Sequence, residues 1–99
     1  MNVSERVIEF LKETGRRHGA ERAELFGSRA RGDCGERSDY DVVFYGVENG
    51  VARAEIRYSA EWEAPTLLNI DVLFGDELSA ELAKSIKNDG VIIYESAKA

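Results

Sequence analysis

Three aspartates stand out because of their positions in segments that favour β-strands. Asp39 and Asp41 are two residues apart at the start of segment 40–45, which is rich in β-branched and aromatic residues. Side chains alternate along a strand, so these two carboxylates are expected on one side of a sheet. Asp71 lies in the apolar segment 67–74, where an unpaired ionised carboxylate would be costly to bury. If the two strands are neighbours, three carboxylates converge, and their repulsion makes a divalent cation the natural partner.

The available side chains favour Mg²⁺ or Mn²⁺ over zinc at such a site. Oxygen ligands alone select these harder cations. Cys34 is the only cysteine, so the chain can form neither an internal disulfide nor a cysteine-based zinc site. His18 is the only histidine, and its position beside two arginines after a predicted helix is typical of a solvated residue at a helix end.

A second candidate element is the dipeptide Gly27-Ser28, between a predicted strand and a short helix. Glycine permits close approach of the backbone to a ligand, and the free N–H groups at a helix start can bind phosphate. Arg29 and Arg31 follow directly and add positive charge. Metal-binding carboxylates opposite a phosphate-binding turn are the arrangement that two-metal phosphoryl or nucleotidyl transfer requires.

Hydrophobic periodicity and turn residues predict the elements that would position these groups. A first helix carries Val3, Val7, Phe10, Leu11 and Thr14, with Asn2 or Ser4 as its cap and Gly15 or Gly19 as its stop. The remaining predicted elements are strands 23–26, 40–45, 67–74 and 91–94, a short helix after Ser28, and helices 50–62 and 77–89. This alternation predicts an α/β or α+β domain, a mixed β-sheet with helices packed on it.

Segment 50–62 fits two patterns. Its alternate apolar residues suit a strand, whereas Val47, Val51, Ala54, Tyr58 and Trp62 follow helical steps. A helical crossover is favoured, because the run is long for a strand and Pro65 supplies a stop. Tyr58 and Trp62 are then expected in the core or in an interface.

Composition limits the classes of function. A chain of 99 residues suits one domain, 1–99, with its own core. The net charge of −6 argues against general nucleic-acid binding. The sequence has no apolar run of the roughly 18 residues that a membrane span needs, and its charged N-terminal segment does not fit a signal peptide. A cytoplasmic location is expected, with a loose tail at 96–99.

A family resemblance rests on the spacing of these motifs. Gly27-Ser28, ten residues and then Asp39-Tyr40-Asp41 match the GS-x10-DxD signature of the DNA polymerase β-like nucleotidyltransferases. The stretch GSRARGDCGERSDYDVVF resembles the minimal nucleotidyltransferase (MNT) group, MntA-like antitoxins among them. NIDVLF, a following helix and GVIIYE resemble the rest of that domain, so nearly the whole chain is covered.

The resemblance implies a polymerase β palm-like fold and a role for each candidate residue. Asp39 and Asp41 would be ligands of two Mg²⁺ ions, with Mn²⁺ as a substitute, and Asp71 the third carboxylate and general base. Gly27 and Ser28 would bind the phosphates of ATP or another nucleoside triphosphate, with Arg29 and Arg31 as further phosphate contacts.

The resemblance also suggests partners. MNT proteins are commonly encoded beside a HEPN-domain protein, and some are antitoxins that transfer AMP to a tyrosine of that toxin. A homo-oligomer is a further expectation, because the chain has no added acceptor domain. Two other functions stay open: a binding module that occludes a partner protein without catalysis, and a small-molecule nucleotidyltransferase of the aminoglycoside-modifying kind.

Overall fold

The computed structural model describes residues 3–97, which form one four-stranded sheet and four α-helices. The mixed α+β architecture predicted from the sequence is confirmed. In chain order the elements are α1 (Glu5–Arg17), β1 (Arg22–Phe26), α2 (Gly27–Arg31), β2 (Tyr40–Tyr45), α3 (Gly50–Trp62), β3 (Ile70–Phe74), α4 (Ala80–Asp89) and β4 (Val91–Glu95), with a 3-10 turn at Gly75–Glu77 between β3 and α4.

The strand order is β3-β2-β1-β4, and its pairing decides which residues meet. β1 pairs antiparallel with both β2 and β4, whereas β2 and β3 are parallel. A parallel pair needs a long crossover, and α3 provides it. The register sets Asp41 opposite Asp71 on β3 and opposite Phe26 on β1, directly before Gly27.

Alternation along the strands divides the core between the two faces of the sheet. Helices α1 and α3 cover one face, whose fully buried side chains include Leu11, Leu25, Phe44, Ile56 and Phe74. On the other face Ile86 of α4 packs against Phe26 and Val43. Asp41 and Asp71 belong to this second face, beyond the apolar cluster under α4.

Two predicted boundaries are wrong, each for a local reason. The predicted strand 67–74 begins only at Ile70, because Leu67 and Leu68 lie in the turn that follows α3. The predicted helix 77–89 begins only at Ala80. The Glu77 carboxylate instead accepts a hydrogen bond from the Phe74 N–H across the 3-10 turn, and Ser79 caps α4 by accepting from the Leu82 N–H.

The ends of α1 refine two further expectations. Ser4 is the N-cap residue, while Asn2 lies outside the described residues. His18 ends the helix as expected, but its side chain is only 10% exposed rather than solvated, with its ring nitrogens near Thr14 O and the Glu55 carboxylate. In the tail, Ser96 N–H donates to Glu21 O, and residues 98–99 lie outside the described range.

Helix α3 has the predicted bounds but not the expected orientation. Its buried residues are Ile56, Ser59 and Ala60. Tyr58 and Trp62 are 61% and 69% exposed, so of the two places expected for them, the core and an interface, the core is wrong and the interface stays a prediction. Of the apolar residues whose spacing predicted the helix, Val47 lies before α3 and is buried, whereas the four within α3 face outward: Val51, Ala54, Tyr58 and Trp62.

None of the helices within residues 3–97 is both long and apolar enough to span a membrane.

Candidate active site

The carboxylates of Asp41 and Asp71 meet on neighbouring strands. Their Cα atoms are register partners in the parallel pair β2·β3, and their side chains are close enough to share a hydrogen bond. Asp41 is partly buried, whereas Asp71 is exposed. Asp71 avoids the cost of burying a carboxylate in this apolar segment, because β3 is an edge strand and its side chain at this position is exposed.

The surroundings of Asp41 disfavour its ionised form. Burial, and after it the negative charges of Asp71 and Asp39, together raise the pKa of the Asp41 carboxyl to about 6, against the opposing effect of Arg31. A site with this excess of negative charge is one that a cation would stabilise.

The carboxylate oxygens of these aspartates are suitable ligands for a divalent metal ion, but only two of the three carboxylates are in contact. Within residues 3–97 no group of three or more acidic, histidine or cysteine side chains is close enough to hold an ion. Asp39 is exposed, directly before β2, and acts on Asp41 only through its charge. Asp41 and Asp71 would therefore hold Mg²⁺, and Asp39 would have to turn inward to join them.

Gly27 brings the start of α2 against this pair. Its φ angle is +76°, a left-handed conformation that side chains disfavour. A Cβ atom at this position would overlap the Oδ2 atom of Asp41. Two separate features therefore favour glycine at position 27: the left-handed backbone conformation and the close approach of the Asp41 carboxylate. The Gly27-Ser28 turn predicted from the sequence thus lies directly beside Asp41, one of the predicted metal ligands.

The start of α2 has no side-chain cap from within residues 3–97, and Ser28 is its second residue. Arg31, at the end of α2, is exposed and pairs with Asp33 at 3.1 Å. That pairing raises the pKa of the Arg31 guanidinium, to which the charge of Asp41 also contributes. Arg31 thus lies near enough to the carboxylates to affect them electrostatically.

Arg29 is oriented differently from Arg31. It is buried, with 7% of its surface exposed, and its guanidinium donates to Ser38 O at 2.9 Å and to Glu36 O at 3.2 Å. The same group lies over the ring of Tyr40, 4.7 Å from its centroid. Arg29 therefore holds the loop before β2, and its predicted phosphate contact stays a prediction.

Asn69 is a residue that sequence reasoning missed. Its side-chain amide donates to Asp71 Oδ1 at 2.6 Å, and its backbone carbonyl accepts from the Tyr40 N–H. The spacing Asn69-x-Asp71 was the available signal, because residues two apart in an extended segment face the same side. Asn69 orients the exposed carboxylate and ties the start of β3 to the start of β2.

A family model described as "Polymerase beta, Nucleotidyltransferase" matches residues 5–99. The chain belongs to this nucleotidyltransferase family. Its sequence matches none of the curated proteins.

Solved structures of similar fold include complexes of toxins with antitoxins. A toxin-antitoxin structure with AMP-PNP superposes with a TM-score of 0.73 at 17% identity, covering 92% of this chain and 75% of that one. The Shewanella oneidensis complex of a tri-AMPylated HEPN toxin with its MNT antitoxin has a TM-score of 0.59 at 16% identity, covering 91% and 67%. A candidate minimal nucleotidyltransferase has a TM-score of 0.67 at 26% identity, covering 85% and 86%.

Proposed function

We propose that this chain transfers AMP from ATP to a hydroxyl group, and that the acceptor is a tyrosine of a HEPN-domain partner protein. The observation that carries the proposal is the contact of the Asp41 and Asp71 carboxylates beside Gly27. This negative pair faces the start of α2, where a triphosphate would bring its own negative charge. Such a juxtaposition is stable only with cations between the two groups.

The proposal assigns the chemistry to residues of this chain. Asp41 and Asp71, joined by Asp39, would hold two Mg²⁺ ions or Mn²⁺ in their place. When bound, the ions would neutralise charge that develops on the phosphates during transfer. Gly27 and Ser28 would contact the triphosphate through their backbone.

In the proposed reaction the acceptor oxygen forms a bond to the α-phosphorus of ATP. The bond from the α-phosphorus to the α,β-bridging oxygen breaks, and pyrophosphate leaves with that electron pair. The hydroxyl proton passes to Asp71, whose Oδ1 atom accepts from Asn69, so that the carboxylate is oriented before the acceptor arrives. The exposure of Asp71 suits this role, because an acceptor on another protein must reach it.

Two comparisons support the choice of nucleotide and acceptor. One similar structure contains AMP-PNP, and another contains a HEPN toxin that carries AMP in complex with an MNT antitoxin. A second function is favoured by the exposed position of Asp39 outside the carboxylate pair: a binding module that occludes its partner without catalysis.

Intact-mass analysis of the partner separates the two functions. A HEPN-domain protein from the same genome is incubated with this chain, ATP and Mg²⁺, and we expect its mass to rise by whole adenylyl groups. Asp41→Asn should abolish the gain. Asp76→Asn is the matched control, because Asp76 pairs with Arg53 beyond the far end of β3 and should not affect transfer. A complex that forms without any mass change would contradict the proposal and favour occlusion.

A further inference from the structure

A line of large apolar side chains faces outward along α3. Val51, Tyr58 and Trp62 are 68%, 61% and 69% exposed. Since an α-helix turns by about 100° per residue, these three positions fall within roughly 20° of a single line. Ala54 lies beside them and is also exposed. We call these four residues the α3 strip.

Nothing within residues 3–97 covers the α3 strip, and the fold does not need it. Ile56 and Ala60 hold the helix to the core from its opposite side. Leu67, in the turn that follows α3, is fully exposed as well. Tyrosine and tryptophan are enriched at the centres of protein interfaces, where burial of their rings contributes most of the binding energy. The concentration of such residues on one helix face is therefore characteristic of a docking surface.

The charges beside the α3 strip are predominantly negative. The two arginines of α3 are already engaged, Arg53 with Asp76 at 2.9 Å and Arg57 with Glu77 at 2.7 Å. Glu61 is exposed at the flank of the strip, and it makes no ion pair in the part of the chain that the structure describes. The same holds for exposed Glu63, directly after the helix. A matching surface must therefore bring positive charge to this rim.

One flank of the α3 strip borders the candidate active site at the β3 edge of the sheet. Arg57 and Glu61, on its flank, line a cavity of about 300 Å³ together with Asn69 and Asp71. A protein seated on the strip would thus lie beside the carboxylate to which the proposed function assigns the acceptor proton.

We propose that the α3 strip docks the acceptor protein, and that the matching face of that protein is an apolar patch bordered by lysine and arginine. The inference rests on the proposed function for its choice of partner. A second copy of this chain is a poorer occupant, because it would bring Glu61 and Glu63 against the same acidic rim.

The test compares paired variants in binding to a HEPN-domain protein from the same genome, by isothermal titration calorimetry. We expect Tyr58→Ser combined with Trp62→Ser to weaken binding at least about 30-fold, because two interface aromatic side chains are lost. Ile92→Ser is the matched control. Ile92 is 50% exposed on β4, the opposite edge of the sheet, so binding should change by no more than about twofold, as for a residue outside an interface. Added salt should weaken binding of the wild-type chain, because it screens the charges at the rim.

The outcomes separate docking from catalysis. Asp41→Asn should bind the partner like the wild-type chain and transfer nothing. If the wild-type chain also transfers nothing, while the double variant still loses binding, the proposed function fails and the docking surface stands. Binding that is absent in the wild-type chain, or equal in the double variant, overturns the docking surface. A wild-type dimer that the double variant converts to monomer in light scattering also overturns it, since the occupant is then a second copy.

Discussion

The carboxylate pair should destabilise the metal-free protein, and Asp41→Asn should relieve that strain. Asp41 carries a raised pKa of about 6 in the folded chain, against an ordinary value of 3.8. Folding therefore favours its protonated form, and ionisation of the group opposes folding. Asparagine has nearly the same shape, removes the charge and can donate a hydrogen bond to Asp71. We expect the free energy of unfolding to rise.

The magnitude follows from the difference between the two pKa values. About two units correspond to roughly 3 kcal/mol at most, and solvent screening of this partly exposed carboxyl reduces the expected gain to about 1 to 2 kcal/mol. The sign depends on pH. Because the folded pKa is raised, wild-type stability falls as pH increases from about 4 to about 6, and it stays lower above that range. The advantage of the variant should therefore be full at pH 7 and nearly absent at pH 4.

Urea unfolding in EDTA at several pH values measures this advantage directly. Asp76→Asn is the matched control, because its pairing with Arg53 lowers the pKa of the Asp76 carboxyl. Substitution of Asp76 should not stabilise the protein at any pH, and any loss in the free energy of unfolding should be greatest above the ordinary pKa of an aspartate. If Asp41→Asn lowers stability at pH 7, or if its effect is the same at pH 4, then repulsion within the pair does not govern this site.

Four further substitutions separate backbone, steric and loop effects, each by urea unfolding. Gly32→Ala should cost about 1 kcal/mol for its positive φ angle in open space, and Gly27→Ala should cost clearly more because its Cβ also meets a carboxylate; equal costs would refute that contact. Arg29→Ala should cost about 2 to 3 kcal/mol and speed amide exchange in the loop before β2, since two carbonyls lose their donor; an unchanged loop would contradict its assigned role. Asn49→Ala should cost about 1 kcal/mol, because its side chain caps α3 through two N–H groups, and a neutral result would dismiss that cap.

Local patterns predicted much of the fold. The bounds of β2 and α3 agree with the structure, because β-branched and aromatic residues fill one and Asn49 and Pro65 bracket the other. The start of β3 could not be read in the same way. Leu67 and Leu68 are as apolar as the strand itself, and only the turn after α3 removes them from the sheet.

The candidate site was predictable where it depends on register and not where it depends on loops. Parallel pairing of the two aspartate-bearing strands sets Asp41 opposite Asp71, as their positions in predicted strands suggested. Arg29 is buried and Arg31 is exposed because of the way the loop before β2 packs, and not because of the local sequence. The loop before β2 folds back over α2 and offers its carbonyls to the first arginine only, and no sequence spacing encodes that choice.

Isotope labelling tests the central claim, nucleotidyl transfer at the aspartate pair, most directly. This chain and a HEPN-domain protein are incubated with Mg²⁺ and ATP labelled at either the α- or the γ-phosphate. The account predicts that the α-label, and not the γ-label, becomes bound to the partner, with release of pyrophosphate, and that Asp41→Asn and Asp71→Asn abolish incorporation. Transfer of the γ-label, or undiminished transfer of the α-label by both variants, would contradict it.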